Sequence, residues 1–399
     1  MGRSNPGEIK GQGGCADVGA RAWVFLMSTV SFSAESCLPY QKPHMNCVAC
    51  AESCPTQAMA LVDRRPDIGS GCVACGRCQA ACPTGAIKVR GFDFPLALAG
   101  KVAIECGRVS MDDRADGAIA VPCLAGVTAE DILALHKAGA TQTVFLDRGW
   151  CAICDAGCGL KHPWAKAVEQ AAEWLAAMGQ PASSLPAGMI EHLPARRALP
   201  LGRAAEPVDR SRRAFLARVR AVTPDERPPS PALPSERDYV RIPRRERAVA
   251  ALTALAERWG REIPASVFPG MRVIGTCALH EVCIAVCPTG AIARGEESSG
   301  NLVFDPTLCI ACDECVGRCP ELALEGTPHG QSDAPLGMRT LVESKTRDCS
   351  GCGQPFAAED DGSFCPACRK SKDLSRDAFV LLRGARSTPE ANAPSSFKH

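Results

Sequence analysis

Apolar and polar positions follow a regular secondary-structure pattern only in the middle of the chain. Val102-Ala103-Ile104 and Ile119-Ala120-Val121 are short continuous apolar runs of the kind that form buried strands, and Thr143-Val144-Phe145-Leu146 is a third. Between the second and third, Thr128 stands at an N-cap position for a helix through Ala138, and Gly139 is placed to end it. Another helix is predicted from Pro163 to Met178, with its proline in the first turn. This alternation predicts a small α/β unit over residues 101–180.

Elsewhere periodicity gives way to breakers and cysteines. Residues 1–36 are Gly/Ser-rich and predict a flexible tail, and 37–100 are dense in Cys, Pro and Gly. Residues 181–265 read as a Pro/Arg-rich linker (Pro228-Pro229-Ser230-Pro231) with a basic helix around Arg210 to Val222 and another from Arg244 to Trp259. A second cysteine-dense module fills 266–344, a last cysteine group 345–372, and 373–399 is a polar tail.

The 399 residues suffice for two or three domains. With 45 basic against 44 acidic residues, the net charge of +1 gives no general attraction to nucleic acid or to an anionic membrane. No apolar run approaches the roughly 18–20 residues of a membrane span, the longest being Ala22 to Val30. That run lacks a cationic lead and a cleavage site, so no secretory signal is expected and the protein reads as soluble. The 25 cysteines change the picture most. They fall in C-x2-C and C-x3-C-P runs, too tight for most to bridge one another without strain. Such thiolates stay reduced and metal-loaded in a reducing compartment, which predicts the cytoplasm.

The strongest run is Cys72-x2-Cys75-x2-Cys78-x3-Cys82-Pro83, and a complete second copy is Cys309-x2-Cys312-x2-Cys315-x3-Cys319-Pro320. A cubane cluster needs four thiolates converging on one small volume; the tight loop supplies three, and the cysteine before proline serves a neighbouring cluster. Each complete run follows an incomplete one: Cys47-x2-Cys50-x3-Cys54-Pro55 with Cys37 further back, and Cys277-x5-Cys283-x3-Cys287-Pro288. The endings Cys82-Pro83-Thr84-Gly85-Ala86-Ile87 and Cys287-Pro288-Thr289-Gly290-Ala291-Ile292 are identical and mark an internal repeat.

Each pair of runs resembles the bacterial dicluster ferredoxins, over roughly 37–90 and 277–325. Swapping the fourth ligand then assigns Cys54 with Cys72, Cys75 and Cys78, and Cys82 with Cys37, Cys47 and Cys50. In the second module Cys287 joins Cys309, Cys312 and Cys315. The remaining site has Cys277, Cys283 and Cys319, with His280 where a fourth cysteine would stand. His280 either ligates, raising the potential, or is a surface residue beside a three-iron site or none. His44 is a weaker alternative to Cys37. In all, three to four [4Fe–4S] clusters are expected.

Cys349-x2-Cys352 and Cys365-x2-Cys368 are two knuckles separated by twelve residues, a zinc-ribbon-like pattern that favours Zn2+ over rubredoxin-type iron. In the α/β unit Cys106, Cys123, Cys151, Cys154 and Cys158 lie at or just past strands, where such folds place ligands. Val121-Pro122-Cys123-Leu124-Ala125-Gly126, Lys137-Ala138-Gly139-Ala140 and Cys151-Ala152-Ile153-Cys154 loosely resemble the iron–sulfur delta subunit of methyl-viologen-reducing hydrogenases. That resemblance implies a [2Fe–2S] site on Cys106, Cys123, Cys151 and Cys154, with Cys158 as a fifth candidate. It also implies partners such as a hydrogenase, a formate dehydrogenase or a heterodisulfide-reductase-like complex. The alternative is that Cys106 and Cys123 are buried apolar packing.

The internal Ser211-Arg212-Arg213-Ala214-Phe215-Leu216 lacks the apolar stretch of an export signal and reads as a basic docking helix or a solvated one. Gly11-Gln12-Gly13-Gly14 is no phosphate loop, Cys15 has no evident partner, and neither a dinucleotide fingerprint nor a nucleophile elbow is present. The expected fold class is α+β: two ferredoxin-like dicluster modules flanking a small α/β domain, with a zinc-ribbon-like knuckle. The expected function is a polyferredoxin-type electron-transfer subunit of an oxidoreductase, without acid–base catalysis. The alternatives are an accessory protein for maturing a molybdenum or nickel enzyme, and an oxidoreductase whose middle-domain cluster binds substrate.

Overall fold

A computed structural model describes residues 30–201, 239–275, 277, 279–295, 301–327, 336–343, 345–353, 355–358 and 362–383. The basic helix expected around Arg210, the arginine pair at 212–213, Cys15 and most of the expected N-terminal tail lie outside them.

The first cysteine-rich module is small and built from short elements. Strand β1 (Val30–Phe32) pairs antiparallel with β4 (Ile87–Val89), and β2 (Met59–Val62) forms a hairpin with β3 (Arg65–Ile68). Helices α1 (Leu38–Gln41), α2 (Ala49–Glu52) and α3 (Arg77–Ala81) are single turns beside the cysteines. Proline after Cys54 and Cys82 prevents either run from continuing as one helix. The module begins before Cys37, because Val30 and Phe32 face Val89 and Ile87 in the ladder.

The α/β unit holds β5 (Gly100–Cys106), β6 (Ile119–Val121), α4 (Ala129–Ala138), β7 (Ala140–Asp147), α5 (Ala165–Ala177) and β8 (Ala187–Ile190). The sheet is parallel in the order β6-β5-β7-β8. Thr128 closes a capping box: Asp131 N donates to Thr128 Oγ1 at 3.2 Å, and Thr128 N donates to Asp131 Oδ2 at 2.9 Å. Gly139 ends α4 at φ +118°, a conformation only glycine takes readily. Ile104, Ile132, Leu133, Leu135, Phe145 and Leu175 are fully buried, each contributing roughly 1.5–3 kcal/mol by apolar burial.

Two elements of the expected linker belong to this core instead. Strand β8 extends the sheet beyond residue 180, with Gly188 lying against the Trp164 indole. Most of its side chains are exposed, so it carries no apolar run to reveal it. Helix α6 (Pro243–Trp259) packs Ala251, Leu252 and Leu255 against α4.

The second module repeats the first in outline. Strand β9 (Gly270–Val273) pairs with β12 (Leu324–Thr327), and β10 (Ile292–Arg294), β11 (Leu302–Phe304) and β13 (Arg339–Val342) form a second sheet. Helices α7 (Val282–Val286) and α8 (Glu314–Gly317) flank its cysteines. A hairpin, β14 (Lys345–Asp348) with β15 (Pro355–Ala358), and helix α9 (Pro366–Arg383) carry the last four cysteines. Among the described residues no helix is long and apolar enough to cross a membrane.

The first module and the α/β unit meet closely, through main chain and side chains together. A Cβ at Gly126 would overlap both the Phe92 ring and the Cys75 carbonyl oxygen. Arg77 reaches across the same seam, Nη1 donating to Ala156 O at 3.2 Å.

His136 gives the α/β unit a pH dependence. Burial pushes its pKa down to about 4, and Nε2 has no partner among the described residues. Between pH 6.5 and about 4 the unfolded chain binds a proton that the folded chain refuses, so stability falls as pH drops through that window. The loss should reach about 2 kcal/mol by pH 5. His136→Leu is expected to shrink the fall in melting temperature between pH 7 and pH 5; an unchanged fall would assign the acid sensitivity elsewhere.

Candidate functional site

Three cavities are each lined by four cysteines drawn from two different runs. Cys54, Cys72, Cys75 and Cys78 share one, under Met59, Ile68 and Val89. Cys37, Cys47, Cys50 and Cys82 share a second. Cys287, Cys309, Cys312 and Cys315 line a third, of about 260 Å3. In each the cysteine before proline leaves its own run and joins the other.

The surroundings are apolar and the sulfurs are close enough to disfavour one another's ionisation. Burial pushes the Cys78 thiol up to about 12, with Cys75 and Cys72 adding like charge. Burial, then Cys82 and Cys47, lifts Cys50 to about 11. Burial, then Cys287, Cys309 and Cys312, lifts Cys315 to about 12. A group of buried sulfurs that resists ionisation alone is suited to a polynuclear cation, which displaces the protons and neutralises the thiolates together.

The sequence pattern left out the hydroxyls that attend these sulfurs. In Cys54-Pro55-Thr56, Cys82-Pro83-Thr84 and Cys287-Pro288-Thr289 the threonine Oγ1 lies 3.7, 3.5 and 3.7 Å from the preceding Sγ. The threefold Cys-Pro-Thr repeat was the available signal. Backbone amides add to it: Ala86 N donates to Cys82 Sγ at 3.2 Å and Ala311 N to Cys309 Sγ at 3.4 Å.

The fourth group departs from this pattern in two linked ways. Cys283 is pushed up to about 11 by burial, with Cys277 and Cys319 contributing like charge. Here Cys319-Pro320 is followed by Glu321 rather than threonine, and His280 Nδ1 sits 2.9 Å from Glu321 Oε1. The residue replacing the missing cysteine thus pairs with the residue replacing the missing hydroxyl. Hydrogen-bonding one ring nitrogen to a carboxylate is how metal-binding imidazoles are commonly oriented.

In the α/β unit Cys106 ends β5, Cys123 follows β6, and Cys151 and Cys154 follow β7. They act on one another. Burial raises Cys106, with Cys154 nearby; burial raises Cys123 well above the usual range, with Cys106, Cys75 and Cys151 adding to it. Burial, then the Asp147 carboxylate and Cys106, pushes Cys151 up to about 12. Asp147 had no sequence signal. Its Oδ1 lies 3.8 Å from Cys151 Sγ and accepts from Gly149 N, while Oδ2 accepts from Trp164 Nε1 at 3.0 Å and lies 3.3 Å from His162 Nδ1. Cys123 and Cys154 share a packed cluster with Cys75 of the first module. Cys158 is exposed, at φ +51°.

The sulfurs of Cys349, Cys352, Cys365 and Cys368 all lie within 4.8 Å of one another, a candidate four-cysteine metal site. Cys352 Sγ and Cys365 Sγ are 3.8 Å apart, which matches the edge of a tetrahedron with metal–sulfur bonds of about 2.3 Å. Amides of Cys365 and Gly351 donate to Cys349 Sγ at 3.2 and 3.3 Å, and these contacts hold its thiol down at about 6.

Two segments of the chain, 70–88 and 302–325, match the model of the 4Fe-4S binding domain. Each carries one complete C-x2-C-x2-C-x3-C-P run. The chain is 44% identical over 41 residues to Protein NrfC of Escherichia coli, which is 10% of this chain and 18% of that protein. It is 50% identical over 38 residues to the thiosulfate reductase electron transfer subunit PhsB of Salmonella typhi, 10% of this chain and 19% of that protein. The chain therefore spans less than a fifth of the curated relatives it matches.

Proposed function

We propose that the chain is a polyferredoxin-type carrier that passes single electrons between partner redox enzymes in a reducing compartment such as the cytoplasm. The carrying observation is that three separate cavities each gather four thiols: two take three from one run and the proline-flanked thiol from another, and the third takes Cys47 and Cys50 of one run, Cys37 upstream of it and the proline-flanked Cys82 of another. Four soft, convergent donors in an apolar pocket fit a [4Fe–4S] cluster, and the two 4Fe-4S binding domain matches support it. When bound, such clusters supply one-electron chemistry. The chain's own contribution is to exclude water, neutralise charge and present amides and hydroxyls to the sulfurs.

Cys277, Cys283, Cys319 and His280, with Glu321 orienting the imidazole, are proposed as the fourth cluster site. Cys106, Cys123, Cys151 and Cys154 are proposed to hold a [2Fe–2S] cluster, and Cys349, Cys352, Cys365 and Cys368 a zinc ion that orders the last hairpin and helix. The partner classes are a hydrogenase, a formate dehydrogenase or a heterodisulfide-reductase-like complex.

Metal and sulfide counts on anaerobically purified protein test this directly. About eighteen irons with matching acid-labile sulfide, from four cubanes and one two-iron cluster, and one zinc are expected. Dithionite should give low-temperature EPR signals from several interacting centres. A colourless chain with fewer than about four irons would end the proposal.

A further inference from the structure

The approach to helix α6 ties together parts of the molecule that are far apart in sequence. Val240 N donates to Pro288 O at 2.8 Å, and Arg244 N donates to Thr84 O at 3.1 Å. These acceptors lie in the two identical Cys-Pro-Thr-Gly turns, 82–85 and 287–290. The turn glycines are covered the same way: Gly85 lies under Arg244 and Gly290 under the Tyr239 ring, each so close that a Cβ would meet its cover at 3.0 Å or less. Residues 239–245 therefore clasp both copies of the repeat. Beneath the clasp, Leu38, Met45 and Val240 pack with Cys47 of one cage and Cys312 of another.

The two adjacent arginines of the clasp, Arg244 and Arg245, differ in charge balance. Arg244 donates to Cys82 O at 3.0 Å, but Glu130 Oε1 lies 3.0 Å from its Nε and offsets the charge. Arg245 Nη2 donates to Cys309 O at 2.8 Å and its guanidinium lies 4.9 Å over the Phe268 ring. Among the described residues no carboxylate forms an ion pair with Arg245. Burial pulls its pKa down, against the opposing pull of the Glu130 carboxylate that Arg244 engages directly, and its charge opposes the rise that burial imposes on the Cys309 thiol.

Resting on the cluster reading above, we propose that Arg245 is a potential-setting residue for the Cys287, Cys309, Cys312 and Cys315 cage, held against it by the 239–245 clasp. An electron added to that cage makes it more negative by one charge. A half-buried, unpaired cation beside a ligand backbone stabilises the added charge and raises the midpoint potential. The donation to Cys309 O fixes the cation's position, and the Phe268 ring shields it from water.

The test is an EPR-monitored redox titration of the full chain, loaded anaerobically, as wild type, R245Q and R245K. The signal that disappears in C309S marks the cage. R245Q keeps a donor for Cys309 O but removes the charge, and the marked centre should then show about a tenfold lower reduced-to-oxidised ratio at a fixed potential, a fall of about 59 mV for one electron. R245K should restore most of that shift, and the other centres should stay where they were. An unchanged midpoint in R245Q overturns the proposal, as does loss of iron from that cage in both variants, which would make Arg245 a structural prop. A wild type without iron at C309S-sensitive sites would instead sink the cluster reading itself.

Discussion

Cys82→Ala is expected to remove the centre that its own run does not build. The variant should lose about four irons per chain. The missing EPR signal should be the one also lost in C47A, while the centre sensitive to C72A persists. Cys54→Ala should do the reverse, abolishing the C72A-sensitive signal and sparing the other. The reason is where the chain goes after each run. Pro83 and Pro55 break the short helices, and Cys82 and Cys54 come to line the opposite cavity. Within one cage the sulfurs sit among apolar side chains, so a three-thiol remnant leaves iron exposed or incompletely held. If C82A instead abolished the C72A-sensitive signal, each run would be filling its own cage and the crossed arrangement would be wrong.

Stripping the iron should unfold the two modules and leave the α/β unit standing. The first module's buried apolar groups are few, chiefly Met59, Ile87 and Val89, and several of its buried side chains are the cysteines themselves. A module of this size ordinarily depends on a staple, and here the staple is inorganic. The α/β unit and helix α6 share one continuous core, with Ile132, Leu133, Phe145, Leu252 and Leu255 fully buried. Hydrogen–deuterium exchange of chelator-treated protein should therefore show amides around Cys50, Cys78 and Cys315 losing their protection by factors of a hundred or more. Amides of α4, β7 and α6 should change by less than about tenfold. Uniform loss across the chain would show that the core leans on the clusters after all.

Which thiols line a common cavity was legible because that information is local. Cysteine spacing and the flanking proline, with the likeness to dicluster ferredoxins, indicate which thiols can reach one volume, and the twelve-residue gap between the last two knuckles likewise brought four sulfurs together. Helix α4 was legible for the same reason, since Thr128 and Gly139 act within a few residues of their own positions. What stayed hidden depends on distant partners. Strand β8 exists because Ala187–Ile190 finds the open edge of β7, and nothing in its own composition demands it. Helix α6 read as a linker element because its apolar face is made largely of alanines and leucines whose partner, α4, lies more than a hundred residues earlier. Asp147 and Glu321 gain meaning only from the thiol or imidazole beside them.

The glycine seam between Cys75 and the α/β unit constrains how this molecule can vary. Because Gly126 leaves no room for even a methyl group against the Phe92 ring and the Cys75 carbonyl, the two bodies touch there at a fixed, close distance. Drift elsewhere can alter the outer surface or the charges around the thiols. It cannot easily widen the gap between Cys75 and Cys123, so the spacing of those two thiols is the property this architecture would pass most faithfully to its descendants.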